Sequence, residues 1–197
     1  MAKKIFMGFV FGMLNYPIKV QKHIPNILIY TVEKPLRNGA IRHYSKLIDL
    51  QQGKLLAYMN TEKELITKDQ MIVPSLYVDV IKSFYKNKGY GTQLMNYAKK
   101  LSDKLGCEGN IHLIASSEFD PKRAPHMFYR KFGMNTGNYL IDSKIDKFIR
   151  KNKKATREDF PSIEMYYPPV KSDINPDELP KRNNESFWKS LFKKFFN

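Results

Sequence analysis

The sequence is poor in cysteine and in acidic residues, and it lacks any long apolar run. Its 197 residues include one cysteine, Cys107, so an intrachain disulfide is impossible and the usual cysteine-rich zinc sites are excluded. The four histidines show no HExxH spacing, and we therefore expect no metal centre. No stretch approaches the ~20 apolar residues of a membrane-spanning helix. These absences favour a globular protein of the reducing cytoplasm.

Basic residues clearly outnumber acidic residues in this sequence. Thirty-four Lys and Arg residues oppose 19 Asp and Glu residues, which gives a formal net charge of +15. Such a field attracts anions, whether a nucleotide cofactor, a nucleic acid, an acidic lipid or an acidic protein. A lysine-rich composition with no such partner gives the same total, so the charge alone identifies none of them. The hydrophobic fraction of 42% is enough for one ordinary domain with a core.

The apolar patterns predict an α+β domain with a mixed, largely antiparallel sheet and helices on both faces. Strands are predicted at 26–33, in a hairpin over 41–60, at 71–81, at 110–115 and at 162–168. Helices are predicted after the glycines at 89 and 91 and up to Gly106, at 124–133 and at 139–154. Residues 61–70 are predicted to be a polar connection. The strand at 71–81, the helix after it and the strand at 110–115 then form a central βαβ unit with a parallel strand pair.

The two ends of the chain differ from this domain, which we assign to residues 1–168. The start, MAKKIFMGFVFGML, is interpreted as an opening strand or core segment, because no small-x-small cleavage site follows it. A targeting or membrane role is the alternative. Residues 169–185 read as a polar linker, and residues 186–197, SFWKSLFKKFFN, as a basic, aromatic amphipathic helix. This helix either packs on the domain or a partner subunit, or lies on an anionic membrane surface.

The stretch YKNKGYGTQLM, residues 85–95, joins the most apolar strand to a helical pattern through a Gly-x-Gly turn. Backbone N–H groups at such a turn, together with the helix dipole, bind phosphate oxygens, and Lys86 and Lys88 add positive charge. A tight strand-to-helix turn with no ligand is the structural alternative. No Gly-Lys-Ser/Thr follows, which excludes a Walker loop. The pattern GxGxxG is incomplete, because Leu94 occupies its third glycine position.

With SLYVDVI before it and APHMFYRKFGM at 124–134 after it, this turn resembles the GNAT superfamily of acyl-CoA-dependent N-acetyltransferases. The resemblance covers roughly residues 26–168, with lysine at the first position of the phosphate-loop pattern. It implies acetyl-CoA as co-substrate, bound in a V-shaped gap between two strands. The main chain of Val80 and Ile81 would pair with the pantetheine arm. The pyrophosphate would lie on the turn, whose residues are Lys86, Asn87, Lys88, Gly89, Tyr90, Gly91 and Thr92.

The reaction that the resemblance implies is direct attack by a primary amine, of a protein, a peptide or a small molecule, on the acetyl thioester. It places Tyr129 where family members keep the acid that protonates the leaving sulfur; packing beside Phe128 is the alternative role. Asp79 is the one carboxylate in the apolar strand and is predicted to be the base, on one face with Tyr77 and Ile81. A structural Asp79 is the alternative. Weaker candidates for the base are Glu118, His112 and His126.

Two further interpretations remain open at this stage. The first is a catalytically inactive GNAT-like module that binds acyl-CoA or a partner, associated with a membrane through its C-terminal helix. The second concerns how the acceptor pocket is covered. Many family members have helices between the first two strands, and these helices line the acceptor pocket. Here only KPLRNGA separates the first two predicted strands. Either residues 1–25 cover that face or it is open, and an open face favours a peptide or protein amine. Nucleic-acid binding lacks a motif.

Overall fold

The computed structural model describes residues 18–24, 26–118 and 120–173. In chain order these ranges contain β1 (Ile18–Ile24), β2 (Ile27–Pro35), β3 (Ile41–Asp49), β4 (Lys54–Lys68), β5 (Met71–Ser83), α1 (Tyr90–Lys104), β6 (Ile111–Ala115), α2 (His126–Lys131), α3 (Tyr139–Arg150) and β7 (Ile163–Tyr167). The expected opening strand within residues 1–14 lies outside the described residues. The same is true of the linker beyond residue 173 and of the C-terminal helix at 186–197.

The seven strands form one sheet in which each strand lies beside its neighbours in sequence, from β1 to β7. Every neighbouring pair is antiparallel except β5 and β6, which are parallel and are connected through α1. A parallel pair needs a crossover connection, and α1 supplies it. The prediction of a mixed, largely antiparallel sheet with a central βαβ unit is therefore confirmed.

Helix α1 packs its apolar stripe on one face of the sheet. The predicted residues Leu94, Met95, Ala98 and Leu101 are at most 2% exposed, and full burial of each large side chain contributes ~1.5–3 kcal/mol. Tyr97, on the same stripe, reaches across the sheet to β2, where its hydroxyl lies 2.6 Å from the Thr31 hydroxyl. The helix ends at Lys104, and Gly106, just after the C-cap residue Leu105, has a left-handed φ of 69° that suits glycine.

Helices α2 and α3 pack against each other beside β7. The Arg130 guanidinium donates two hydrogen bonds to the Asp146 carboxylate, at 2.8 and 2.7 Å, and so joins the two helices. The Lys99 ammonium of α1 lies 3.7 Å from the centre of the Tyr167 ring and 4.2 Å from that of Phe132, which follows α2. These contacts place α1 and α2 on the same face. Helices on both faces are thus not confirmed within the described residues.

The segment 61–70 is not a connection, and that prediction is wrong. Strand β4 continues to Lys68 and pairs with β5 down to the match of Lys68 with Met71. Only Asp69 and Gln70 lie between the strands, and both have positive φ, 49° and 67°. Two left-handed residues form the tight turn that a two-residue hairpin needs. Polar side chains in this segment therefore belong to a long strand and not to a loop.

Candidate functional site

A β-bulge interrupts strand β5 at Asp79. Asn60 of β4 pairs with Val80 and Thr61 pairs with Val78, so Asp79 is the extra residue between them. A bulge breaks the two-residue alternation of side chains. In this register Val78 and Ile81 both lie on the face of Thr61 and Met59, beneath α1. The predicted sharing of one face by Asp79, Tyr77 and Ile81 is therefore wrong for Ile81.

Strands β5 and β6 separate immediately before this bulge. Their only registered pairs are Leu76 with Ile111 and Tyr77 with His112, although β5 continues to Ser83 and β6 to Ala115. From Val78 onward, the edge of β5 that faces β6 has no strand partner within the described ranges. Backbone N–H and C=O groups there are left for another hydrogen-bonding partner. The sheet thus contains a gap that opens towards the carboxyl ends of two parallel strands.

The Gly-x-Gly turn lies at the open end of this gap, since it follows the carboxyl end of β5 and begins α1. Gly89 is the N-cap residue of α1, and no side chain caps the helix there or adds an acidic group to its first turn. The first N–H groups of a helix have no intrahelical partner. Lys86 and Lys88 are exposed beside them. An uncapped helix start beside two exposed ammonium groups is an electropositive site for an anion.

Glycine occupies positions 89 and 91 of the turn for two different structural reasons. Gly89 has a φ of 74°, in the left-handed region, and a Cβ added there would meet nothing within 4 Å. Gly91 has ordinary helical geometry, but an added Cβ would lie 3.3 Å from Cζ of Phe128. Gly89 is therefore favoured by the left-handed backbone and Gly91 by the close approach of the Phe128 ring of α2. This approach brings Phe128, and with it Tyr129, to the first turn of α1.

Tyr129 is buried in α2, with 7% of its surface exposed, and its ring makes an edge contact with Phe128 at 5.2 Å between centroids. Burial raises the pKa of Tyr129 well above its ordinary value, although the charge of Arg123 opposes the shift. Its hydroxyl makes no hydrogen bond with any described residue. A phenol with a raised pKa stays protonated at neutral pH. This is the state that a general acid needs.

Asp79 projects from the bulge to the face opposite α1, where it meets Arg42 of β3. The distance from Arg42 Nη1 to the Asp79 carboxylate is 3.6 Å, and both side chains are about one-third exposed (31% and 33%). The same guanidinium is hydrogen-bonded to Glu62 of β4. Glu62 thus holds Arg42 at the bulge, and Arg42 in turn limits where the Asp79 carboxylate can point. Asp79 lies at the start of the gap, two residues after the last registered pair of β5 with β6.

A row of polar and aromatic residues crosses the sheet on this same face. Adjacent strands pair its members directly: Arg42 with Glu62, Glu62 with Tyr77, Tyr77 with His112, and His112 with Tyr166. Directly paired residues lie side by side on one face of a sheet. The row therefore runs through the point where β5 and β6 separate. The helix-covered face offers apolar side chains, whereas this face offers groups that can bind or transfer protons.

The sequence analysis missed three members of this face: Glu62, Glu64 and Ser75. Both glutamates fall in the segment 61–70, which the sequence predicts to be a connection and which the structure shows to be part of β4 up to Lys68. The alternation of TEKELITK and the β-branched Thr61 and Ile66 were available signals, but the Asp-Gln turn gave no hairpin signature.

The other predicted base candidates are distributed differently. Glu118 is exposed in the segment after β6. His126 is fully buried and its Nε2 pairs with the Pro161 carbonyl oxygen at 2.8 Å, which makes it a packing residue. Cys107 is buried, and burial raises the pKa of its thiol, so it lacks the thiolate character of a reactive cysteine. His112 alone among these lies where the two strands separate.

Within the described ranges, no group of three or more His, Cys, Asp or Glu side chains is arranged to hold a metal ion. None of the described helices has both the length and the apolar character needed to cross a membrane. A cleft of about 390 Å³ between Lys68, Asn138 and Lys171 lies at the far end of β4, away from the gap.

Two solved structures that resemble this chain are distant in sequence. No protein-family model and no curated protein matches the chain. A solved bacterial toxin is 15% identical, with a TM-score of 0.41 over 64% of this chain and 66% of the toxin. A mutant of the AtaT toxin, bound to the C-terminus of the antitoxin AtaR and to acetyl-CoA, is 17% identical. Its TM-score is 0.36 over 47% of this chain and 58% of that chain. The chain spans less than two thirds of either structure, and at these scores neither likeness carries an argument about function.

Proposed function

We propose that the protein is an acetyl-CoA-dependent N-acetyltransferase that transfers the acetyl group to a primary amine by direct attack. The observation that carries the proposal is the parting of β5 and β6 after Tyr77, with the uncapped start of α1 at the open end of the gap. A long, thin thioester with a diphosphate at one end fits such a gap. Its amide groups match an unpaired strand edge, and its phosphates match free helix N–H groups.

The cofactor-binding residues in this proposal come from the end of β5 and from the turn. The main chain of Val80 and Ile81 binds the pantetheine arm by adding hydrogen bonds to the free edge of β5. The main chain from Gly89 to Thr92 binds the diphosphate. The ammonium groups of Lys86 and Lys88 add attraction, while Asn87, with a φ of 58°, turns the chain between them. The ring of Tyr90 lies against that of Tyr85 at 6.2 Å and forms one side of the turn.

The chemistry needs two proton transfers and no covalent enzyme intermediate. The amine nitrogen attacks the thioester carbon, a C–N bond forms, and the C–S bond breaks. Asp79 accepts the proton that the amine nitrogen loses. Tyr129 gives its proton to the sulfur of the leaving CoA and regains one from solvent afterwards. The acceptor enters from the face of the polar row, since α1 covers the opposite face.

Titration calorimetry with acetyl-CoA tests the binding step. We expect binding by the unmodified chain and a loss of about tenfold in affinity for the double variant Lys86→Ala, Lys88→Ala, since two exposed ion pairs contribute ~0.2–1 kcal/mol each. Lys100→Ala is the matched control, because Lys100 is an exposed lysine farther along α1. Equal affinities for the double variant and the control would contradict the placement of the diphosphate.

Thiol release over a panel of amines and basic peptides tests the transfer step. We expect CoA to appear only with an acceptor, and Asp79→Asn to lower the rate by about 10²-fold or more while acetyl-CoA still binds. Asp103→Asn, at an exposed carboxylate near the end of α1, is the control. Binding of acetyl-CoA without turnover of any acceptor would instead favour the inactive acyl-CoA-binding module.

A further inference from the structure

A chain of three polar side chains crosses strands β4, β5 and β6 beside the gap. His112 of β6 is 3% exposed, and Ser75 of β5 is fully buried. The Ser75 hydroxyl lies 2.9 Å from His112 Nδ1, and a Glu64 carboxylate oxygen lies 3.4 Å from His112 Nε2. Glu64 is opposite Ser75 in the β4–β5 register and is 44% exposed. The chain therefore has two buried members and ends at a carboxylate that solvent can reach.

The contacts fix the direction of hydrogen bonding in this chain. A carboxylate accepts hydrogen bonds only, so neutral His112 carries its proton on Nε2 and donates towards Glu64. Its Nδ1 then accepts from the Ser75 hydroxyl. Burial lowers the pKa of His112, against the opposing charges of Glu64 and Glu164, which keeps the ring neutral at neutral pH. A buried neutral histidine thus holds a charged carboxylate in one orientation.

This arrangement does not function as a nucleophilic triad. Ser75 has no exposed surface, so no thioester or ester carbon can reach its oxygen. His112 has no free nitrogen in the neutral tautomer, so it cannot take a proton from the acceptor directly. The exposed Glu64 carboxylate is the group of the three that a ligand can touch.

The position of Glu64 relative to the gap is set by the sheet. Ser75, its partner on β5, lies three residues before Val78, where the gap begins. At ~3.3 Å per residue this separates Glu64 from the reacting end of the gap by about 10 Å along the strand. The Tyr77 ring lies between them and packs on His112 at 5.0 Å between centroids. A cation at Glu64 would rest beside an aromatic surface, which also favours positive charge.

Resting on the proposed acetyl transfer, we propose that Glu64, held by His112 and Ser75, binds a second ammonium group of the acceptor. The preferred acceptors are then flexible aliphatic amines with a second positive charge several bonds from the reacting nitrogen. The reacting amine lies at the gap, and the distal ammonium lies at Glu64. His112 is a positioning residue in this arrangement, because it acts through Glu64 and does not touch the reacting atoms.

The arrangement makes recognition of the acceptor dependent on pH. Protonated His112 would carry a positive charge against Glu64 and compete with the ammonium group. Binding of the ammonium must then favour neutral His112, so the bound ligand lowers the pKa of His112. The charged or titratable groups that face this ring are Glu64 from β4, Tyr77 from β5, and Glu164 and Tyr166 from β7. Among them, only Glu64 is in contact with His112 Nε2.

NMR titration of the histidine ring protons in the full chain tests the proposal. The His112 signal is assigned by its absence in His112→Asn. We expect cadaverine to lower the pH at which His112 titrates by about half a pH unit, and hexylamine to leave it unchanged. Hexylamine has the same chain length but a methyl group in place of the second ammonium. In Glu64→Gln the cadaverine effect should vanish, and His112 should titrate at a lower pH than in the unmodified chain.

Glu158→Gln, which removes an exposed carboxylate elsewhere, should keep the full cadaverine effect. Equal shifts with cadaverine and hexylamine, or a cadaverine shift that survives in Glu64→Gln, would overturn the proposal. Calorimetry with acetyl-CoA separates this outcome from the fate of the proposed function. If acetyl-CoA binds but cadaverine has no effect, the acceptor subsite is wrong and the proposed acetyl-CoA site stands. If cadaverine shifts His112 but acetyl-CoA does not bind, the subsite stands and the transferase is wrong.

Discussion

Replacing Tyr129 with phenylalanine separates a catalytic hydroxyl from a packing ring, and Tyr97→Phe is its natural control. Both tyrosines are buried, with 7% and 4% of their surfaces exposed. The Tyr97 hydroxyl has a partner, the Thr31 hydroxyl at 2.6 Å. The Tyr129 hydroxyl has no hydrogen-bond partner among the described residues. Tyr97→Phe therefore removes a hydrogen bond. Tyr129→Phe, the same chemical change, leaves the hydrogen bonds within the described part of the protein unchanged.

The expected magnitudes follow from this difference. Loss of the Tyr97 bond should lower the free energy of unfolding by about 1 kcal/mol, a typical net value for one buried hydrogen bond. Thr31 keeps its contact with Ser45, at 2.9 Å, so no buried group is orphaned. Tyr129→Phe should change stability by less than about 0.5 kcal/mol, since the change breaks no hydrogen bond to a described residue and the Tyr129 hydroxyl is not among the fully buried polar atoms that lack a partner. Its turnover should fall about 10²-fold or more, because the leaving sulfur loses its acid.

Urea unfolding and thiol release, measured on both variants, provide the test. Tyr97→Phe should lose stability but keep its rate, whereas Tyr129→Phe should lose its rate but keep its stability. The raised pKa of Tyr129 further predicts no loss of activity from ionisation of this phenol up to about pH 10, the ordinary tyrosine value. Unchanged turnover in a fully folded Tyr129→Phe protein would refute the acid role.

Two further predictions concern the turn and the helix pair. Gly89→Ala should lower the free energy of unfolding by about 1–2 kcal/mol, because its φ of 74° is left-handed, although its Cβ meets nothing; a neutral effect in urea unfolding would contradict the turn geometry. The hydrogen bond from Arg130 lowers the pKa of Asp146, so the pair contributes stability that is present above the ordinary aspartate value of about 4 and is lost as pH falls below it. This contribution is at most about 1 kcal/mol because the carboxylate is partly exposed, and Asp146→Asn should remove that part of the acid dependence in unfolding midpoints measured across pH.

Periodicity located most elements because their patterns are local. The helix over Tyr90–Lys104 and the strands at 27–35 and 163–167 agree with the sequence prediction to within a few residues. Their apolar spacing, flanked by glycine, needs no knowledge of the rest of the chain. The crossover through α1 also follows from sequence, since two buried strands joined by a helix pair in parallel.

The remaining features depend on relations between strands that a single sequence does not display. The bulge at Asp79 exists only in the register of β5 against β4, so alternation along β5 placed Ile81 on the wrong side of the strand. The hairpin turn at Asp69 and Gln70 uses left-handed φ without the glycine that usually marks it. The contact of Glu64 with His112 joins residues 48 positions apart in the chain (112 − 64), and it follows only once residues 61–68 are known to be part of β4.

Only two registered residue pairs connect β5 and β6. The sheet therefore consists of two blocks that are weakly hydrogen-bonded to each other. Strands β1 to β5 form a continuous antiparallel block, and β6 with β7 forms a second one. The two blocks are also connected through α1, through the ring contacts of Lys99 and through the contacts of Ser75 and Glu64 with His112. A molecule bound in the gap would connect the two blocks, because it would supply the hydrogen bonds that the free edge of β5 lacks. The amide protons of β6 would then exchange with solvent more slowly in the occupied protein, and both blocks would unfold as one cooperative unit.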